Sequence, residues 1–219
     1  MEAIMLEKIR YNLQQNLARV ENLVTTYETH PHAQGRGRKN AAVLDILRAA
    51  VVLLHATLEE LLRSVAYWKL PMAQATVLND IALVGFPQNS KKFLLGDLSP
   101  YRGKSVDDIL TASVNAYLEK SNFNNRRDII SLLENVGIDV TKVNANFDDL
   151  QSLMERRHQI VHRADRQSKV VGRGDHEVRG IHKETVRTWA KAVNQFALAL
   201  SNELSGSTNE KNQATPSNR

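Results

Sequence analysis

The amino-acid sequence predicts an all-α fold, and three observations support this. Apolar side chains recur at spacings of three and four along several segments, which places them on one face of a helix. Few segments show the period of two that is typical of a half-buried strand. The chain has 219 residues, of which 42% are hydrophobic, enough to build the core of one ordinary domain or two small ones. We therefore expect five or six main helices with long irregular connections, forming a single domain over residues 1–204 and followed by a disordered tail over residues 205–219.

The first two helices differ in how much of their surface is apolar. The first has a single apolar stripe from Leu6 to Tyr27 and is expected to end near Pro31. Residues 40–69 are apolar almost all round, which predicts a helix in the middle of the fold. Four polar residues interrupt this second helix within about 80° of arc. They are Arg48, His55, Glu59 and Arg63.

Four further helices are predicted after an irregular connection. Residues 71–104 are rich in Pro and Gly, with short helical turns expected near residues 78–83. Helix resumes after Ser105, a candidate N-cap followed by acidic residues. The next helices are predicted over residues 125–136, ending at Gly137, and from residue 147 to about 163, opened by Asn146. The last helix is predicted over residues 182–204.

Composition excludes several classes of protein. The chain has no cysteine, which excludes disulfide scaffolds, zinc ribbons and thiol nucleophiles and indicates a reducing compartment. No apolar run approaches the ~20 residues of a membrane span, and the N-terminus lacks a signal-peptide pattern. We therefore expect a soluble, cytoplasmic protein that does not enter a membrane.

Positive charge is concentrated in one segment. Residues 156–191 contain 10 Lys or Arg and 4 Asp or Glu, whereas the whole chain has a net charge of +5. Such an excess is typical of a surface that meets phosphate, although a solvated basic loop would have the same composition. Residues 172–174 lack the flanking strand and helix of a phosphate loop. The candidate nucleic-acid-binding residues are Arg156, Arg163, Arg166, Lys169 and Arg173.

The helix predicted over residues 147–163 contains the main candidate site. Arg157 lies within its apolar stripe, four residues from both Leu153 and Val161. A buried guanidinium is costly, so Arg157 must pair with a carboxylate or face a wet cleft or an interface. Glu59 of the central helix is the candidate partner. Two histidines, His158 and His162, flank the same stripe about 40° from each other.

The run Glu155-Arg156-Arg157-His158-Gln159-Ile160-Val161-His162-Arg163-Ala164-Asp165 resembles the signature of the HEPN domain superfamily. In that signature an Arg, often followed by a polar residue, precedes a His by four to six positions. Arg157, His158 and His162 fit these three places. The long apolar helix with an acidic residue near its end is similar to the second helix of the RiboL-PSP-HEPN group. The resemblance covers roughly residues 40–205.

This resemblance implies a dimeric helical bundle that acts as a metal-independent endoribonuclease in toxin–antitoxin or phage-defence systems. Two copies of the arginine and histidine would then face each other across a two-fold axis. We expect His162 to transfer protons, Arg157 to bind the scissile phosphate, His158 to position the site and Glu59 to hold Arg157. No metal or other cofactor is expected. The expected partners are RNA or a nucleotide, a second copy of the chain and a cognate antitoxin or effector protein.

Other interpretations of the same residues remain open. An arginine on an apolar stripe is often a structural ion pair or a dimer contact, and two histidines four residues apart can chelate a metal if a third ligand is near. His55 is most simply a hydrogen-bonded core histidine, and His30 and His32 are loop residues. Some HEPN proteins only bind nucleotides or nucleic acid. A non-catalytic binding module or a structural interaction partner is therefore the alternative to an enzyme.

Overall fold

A computed structural model of the chain describes residues 2–33, 41–86, 94–165 and 180–213. These ranges contain seven α-helices, short 3₁₀ turns and no strand, which confirms the all-α prediction. The helices are α1 (Glu2–Thr29), α2 (Ala41–Lys69), α3 (Ala75–Leu78), α4 (Val106–Leu118), α5 (Arg126–Asn135), α6 (Phe147–Arg163) and α7 (Lys183–Gln213). The 3₁₀ turns are Pro31–Ala33, Leu70–Met72, Leu95–Tyr101, Val140–Lys142 and Asn144–Asn146.

Helix α2 lies at the centre of the bundle, as its nearly continuous apolar surface predicts. It contacts α1, α4, α5, α6 and α7. The leucines along its length are excluded from solvent: Leu47, Leu54, Leu58 and Leu62. Because a helix that is apolar all round can hide its surface only by packing on every side, α2 organises the other helices around itself.

Local capping fixes the ends of the shorter helices. Ser105 and Asp108 form a reciprocal box at the start of α4, in which the Asp108 N–H donates to the Ser105 hydroxyl at 3.1 Å and the Ser105 N–H donates to the Asp108 carboxylate at 3.1 Å. The Asn125 side chain accepts from the backbone N–H of Asp128 at the start of α5. Gly137 follows that helix with φ 76°, a conformation that favours glycine. Asn146, by contrast, makes no side-chain cap at α6.

Two helix predictions need adjustment. The turns expected near residues 78–83 occur slightly earlier, as helix α3. Helix α7 extends to Gln213 rather than ending at Leu204, so residues 205–213 of the predicted tail are helical. The sequence after Leu204 consists of polar and small residues, so the hydrophobic pattern stops before the helix does. The last part of the predicted tail, residues 214–219, lies outside the described residues.

Among the described residues, no helix is both long enough and apolar enough to cross a bilayer.

Candidate functional site

The C-terminal half of α6 presents both motif histidines to solvent. The first half of the helix packs into the core through Phe147, Leu150, Leu153 and Met154. His158 and His162 are exposed one turn apart, with ring centroids separated by 4.6 Å and ring planes tilted by 42°. The sequence pattern places Val161 on the buried stripe, but this side chain is 48% exposed. The packed face of α6 therefore continues only as far as Ile160, which packs against the core, and Val161 and His162 lie beyond it.

Arg157 lies between the core and this exposed surface. Its side chain is half-buried, and it forms no hydrogen bond or salt bridge with any residue in the described ranges. Its charge acts across the α2–α6 contact, because it lowers the pKa of His55 on α2. A half-buried guanidinium without a counterion attracts anions strongly, since it is incompletely hydrated.

His55 is buried behind Arg157, with 2% of its surface exposed. Burial, and secondarily the positive charge of Arg157, lowers its pKa from 6.5 to about 4, while Glu59 acts in the opposite direction. The Nδ1 atom of His55 lies 3.9 Å from Oε2 of Glu59. His55 is therefore neutral near pH 7 and adds no charge to the site.

Glu59 does not hold Arg157, contrary to the sequence prediction. Its Oε1 accepts a hydrogen bond from Nη2 of Arg63 at 3.2 Å. Arg63 lies one turn further along the same helix, so it reaches the carboxylate without crossing to another element. Arg63 also donates to the backbone carbonyls of Leu118 and Ser121, which ties the end of α4 to α2.

Acidification is expected to destabilise the protein through His55. The native pKa of about 4 lies below the ordinary value of 6.5, so the unfolded chain binds the proton first as the pH falls. The stabilisation is complete above about pH 6.5 and is lost as the pH falls toward 4. The free energy of unfolding, measured by urea denaturation, should lose about 2 kcal/mol from this group between pH 7 and pH 5. His55→Leu should show a flatter pH dependence, and an unchanged slope would refute the assignment.

Arg156 is buried, which corrects its prediction as a nucleic-acid-binding residue. It is 5% exposed, and its Nη2 lies 2.6 Å from Oδ2 of Asp165 and donates to the Gly180 carbonyl at 3.1 Å. The Nε of Arg48, on α2, donates to the same Asp165 oxygen at 2.8 Å. Arg48, Arg156 and Asp165 form what we call the Asp165 cluster. It joins α2, α6 and the start of the segment before α7.

A left-handed turn places Asp165 in this cluster. Ala164 and Asp165 have φ values of 46° and 59°, and the Asp165 N–H donates to the Gln159 carbonyl at 3.1 Å. This turn ends α6 and directs the carboxylate into the protein, where Asp165 is 1% exposed. Its Oδ1 is buried without a hydrogen-bond partner. Sequence reasoning missed Asp165, although an acidic residue directly after the motif could have signalled a counterion for Arg156.

Of the other predicted basic residues, Arg163 is the one that the structure describes. Arg163 is exposed at the end of α6. Arg166, Lys169 and Arg173 lie outside the described residues. In the part of the chain that is described, no group of three or more His, Cys, Asp or Glu side chains could hold a metal ion, so His158 and His162 have no third ligand there.

Residues 15–206 match the RiboL-PSP-HEPN family. The chain belongs to that family. No curated protein and no solved structure matches the sequence. The matched range includes α2 and α6, so Arg157, His158 and His162 belong to the helical core of this HEPN domain and not to an appended segment.

Proposed function

We propose that this HEPN protein is a metal-independent endoribonuclease whose site consists of Arg157, His158 and His162. One observation supports it above all. A half-buried arginine without a partner among the described residues lies on the same helix as two exposed imidazoles 4.6 Å apart. A guanidinium, which is suited to bind phosphate, and two imidazoles, which are suited to transfer protons, thus occur within one turn and a half of helix. The sequence analysis expected these roles, and the RiboL-PSP-HEPN family is compatible with an RNase or a nucleotide-binding module.

The proposed reaction uses the 2′-hydroxyl of the RNA as the nucleophile. A neutral imidazole removes the hydroxyl proton while the 2′-oxygen bonds to phosphorus. The bond from phosphorus to the 5′-oxygen then breaks, and an imidazolium gives that oxygen a proton. Arg157 stabilises the charge that develops on the non-bridging phosphoryl oxygens. The products are a 2′,3′-cyclic phosphate and a 5′-hydroxyl.

A two-fold dimer through the end of α6 would supply the base and the acid from two copies of His162. Val161 supports this arrangement, because a valine that is 48% exposed beside Arg157 and the two histidines provides an apolar centre for a contact. Two symmetric copies would bring two arginines and four imidazoles to one cleft. We propose the same surface as the binding site of a cognate antitoxin or effector protein, since covering it would silence a toxin.

Cleavage of RNA in the presence of EDTA tests the enzymatic proposal. The wild-type protein should cut a labelled single-stranded RNA and leave cyclic-phosphate and 5′-hydroxyl ends, which gel mobility and sensitivity to phosphatase identify. A His162→Ala sample purified in the same way reports any contaminating nuclease. Cleavage that needs an added divalent ion, or that leaves 5′-phosphate ends, would contradict the proposal.

A non-catalytic RNA- or nucleotide-binding module is the second candidate. His162 forms no hydrogen bond with a described residue, so nothing in those ranges fixes the tautomer that a general base needs. Such a module would retain RNA without forming product. Its binding would weaken with salt and in an Arg157→Ala variant, because the contact is with phosphate.

A further inference from the structure

Two adjoining cavities lie where α4 meets the segment that leads to α5. Their volumes are about 350 and 370 Å³, and both are lined by Tyr117, Lys120 and Ser121. We call the pair the Tyr117 groove. Each cavity is large enough for part of a small polar ligand, and the three shared residues make the two cavities neighbours on the surface.

The first cavity is mostly apolar. Leu83, Val84 and Phe86 form its wall, and Asp80 supplies a carboxylate. Tyr117 separates it from the second cavity and is 44% exposed. A flat aromatic ligand with N–H donors fits this combination, because a tyrosine ring offers a stacking face and the carboxylate accepts hydrogen bonds.

The second cavity is more polar and carries two cations. Lys120 and Arg127 line it, are exposed, and form no salt bridge with a residue in the described ranges. Asp128 also lines this cavity, but its carboxylate accepts from the Asn124 N–H at 3.0 Å and from the Asn125 side-chain amide at 2.9 Å. Because the Asp128 carboxylate is bonded by these asparagines, Lys120 and Arg127 are available to an anionic ligand such as phosphate.

The groove is connected to the α2 polar stripe through Arg63. This side chain donates to the carbonyls of Leu118 and Ser121, so it fixes the backbone of the segment that carries the groove's shared residues. Arg63 lies eight residues from His55 along α2, which corresponds to about 12 Å. A single strand could therefore extend from the groove toward Arg157 along one side of the bundle.

We propose that the Tyr117 groove binds a nucleotide unit of single-stranded RNA. The base stacks on Tyr117 in the apolar cavity, with Asp80 accepting from a base N–H, and the neighbouring phosphate contacts Lys120 and Arg127. The continuation of the strand to Arg157 rests on the proposed nuclease function, whereas binding at the groove can be measured without it.

Binding of a labelled oligoribonucleotide to full-length protein tests the groove. The measurement uses fluorescence anisotropy in a His162→Ala background, so that the RNA stays intact. Tyr117→Ala should raise the dissociation constant by about 10-fold, within the range seen when a base loses its stacking partner, and Tyr117→Trp should preserve binding. Tyr11→Ala is the matched control, because Tyr11 is an exposed tyrosine on α1. Lys120→Ala combined with Arg127→Ala should reduce the salt dependence.

Each outcome of this experiment has a clear meaning. The proposal is overturned if the Tyr117→Ala protein binds RNA as tightly as the Tyr11→Ala protein, whether both bind like the wild type or both bind more weakly. Adenosine and uridine monophosphates are tested alongside, and binding as tight as that of the oligomer would show that the occupant is a free nucleotide and refute the RNA strand. If wild type cleaves RNA but Tyr117→Ala binds normally, only the groove fails. If Tyr117→Ala weakens binding and wild type does not cleave, only the nuclease fails.

Discussion

His162→Ala is expected to lower kcat/KM for RNA cleavage by about 10²–10⁴-fold, the range that one general acid–base group contributes. The loss should appear mainly in the chemical step, because an exposed imidazole adds little to the binding of a polyanion. RNA affinity should therefore change much less than the cleavage rate. Single-turnover cleavage and anisotropy on the same oligoribonucleotide separate the two quantities. Cleavage by His162→Ala at the wild-type rate would remove His162 from the mechanism.

Alanine substitutions of two other histidines serve as comparisons for the cleavage rate of His162→Ala. His158 lies beside His162 with ring centroids 4.6 Å apart, so His158→Ala should cause a smaller loss by freeing the neighbouring ring. His32 is also exposed and lies beside another histidine, in the turn after α1 where its ring centroid is 5.6 Å from that of His30, and His32→Ala should cleave like the wild type. A similar loss in all three variants would indicate a general change in the protein and not a specific proton-transfer role.

The helices could be predicted from the sequence because their burial is periodic. Apart from the C-terminal end of α7, the six main helices lie close to their predicted positions, and Ser105 and Gly137 cap α4 and α5 as expected. These features depend on residues near each other in sequence. The end of α7 could not be predicted, because the sequence after Leu204 is made of polar and small residues and hydrophobic periodicity gives no signal there.

Arg156 and Arg157 show what sequence patterning cannot resolve. Adjacent residues on a helix differ by about 100°, and the apolar stripe of α6 is wide enough to make either arginine the buried one. The decision depends on partners that are distant in sequence. Asp165 and Arg48 hold Arg156 inside, while Arg157 is left half-buried without a counterion among the described residues.

The ion-pair partner of Glu59 likewise could not be predicted from sequence patterning. A carboxylate on the central helix had several cations within reach, and the sequence prediction favoured Arg157 because its burial demanded a counterion. In the structure Arg63 takes this carboxylate at 3.2 Å. The backbone carbonyls at the end of α4 accept hydrogen bonds from Arg63 and so hold its side chain in place. Helix α4 could not be positioned relative to α2 from periodicity alone.

Asp165→Ala is expected to destabilise the protein by about 3–5 kcal/mol, because it removes the buried carboxylate that pairs with both Arg48 and Arg156, whereas Asp45, the other carboxylate at Arg48, is 68% exposed. Urea denaturation followed by circular dichroism measures the loss. Asp148→Ala is the matched control, since Asp148 pairs with Arg126 but its side chain is 99% exposed. That variant should lose less than about 1 kcal/mol. A loss of the same size in both variants would mean that burial adds nothing to the Asp165 cluster.

Removing the whole cluster separates charge compensation from other roles of Asp165. A triple variant carries Arg48→Met, Arg156→Met and Asp165→Leu. The Asp165 cluster then contains no charged side chain, so the variant should recover most of the stability lost in Asp165→Ala. Recovered stability does not require recovered cleavage. Asp165 follows His162 by three residues and joins the end of α6 to α2, so the turn at Ala164 and Asp165 can relax once the ion pairs are gone. A stable triple variant with reduced cleavage would show that the cluster positions His162, whereas full activity would limit it to stability.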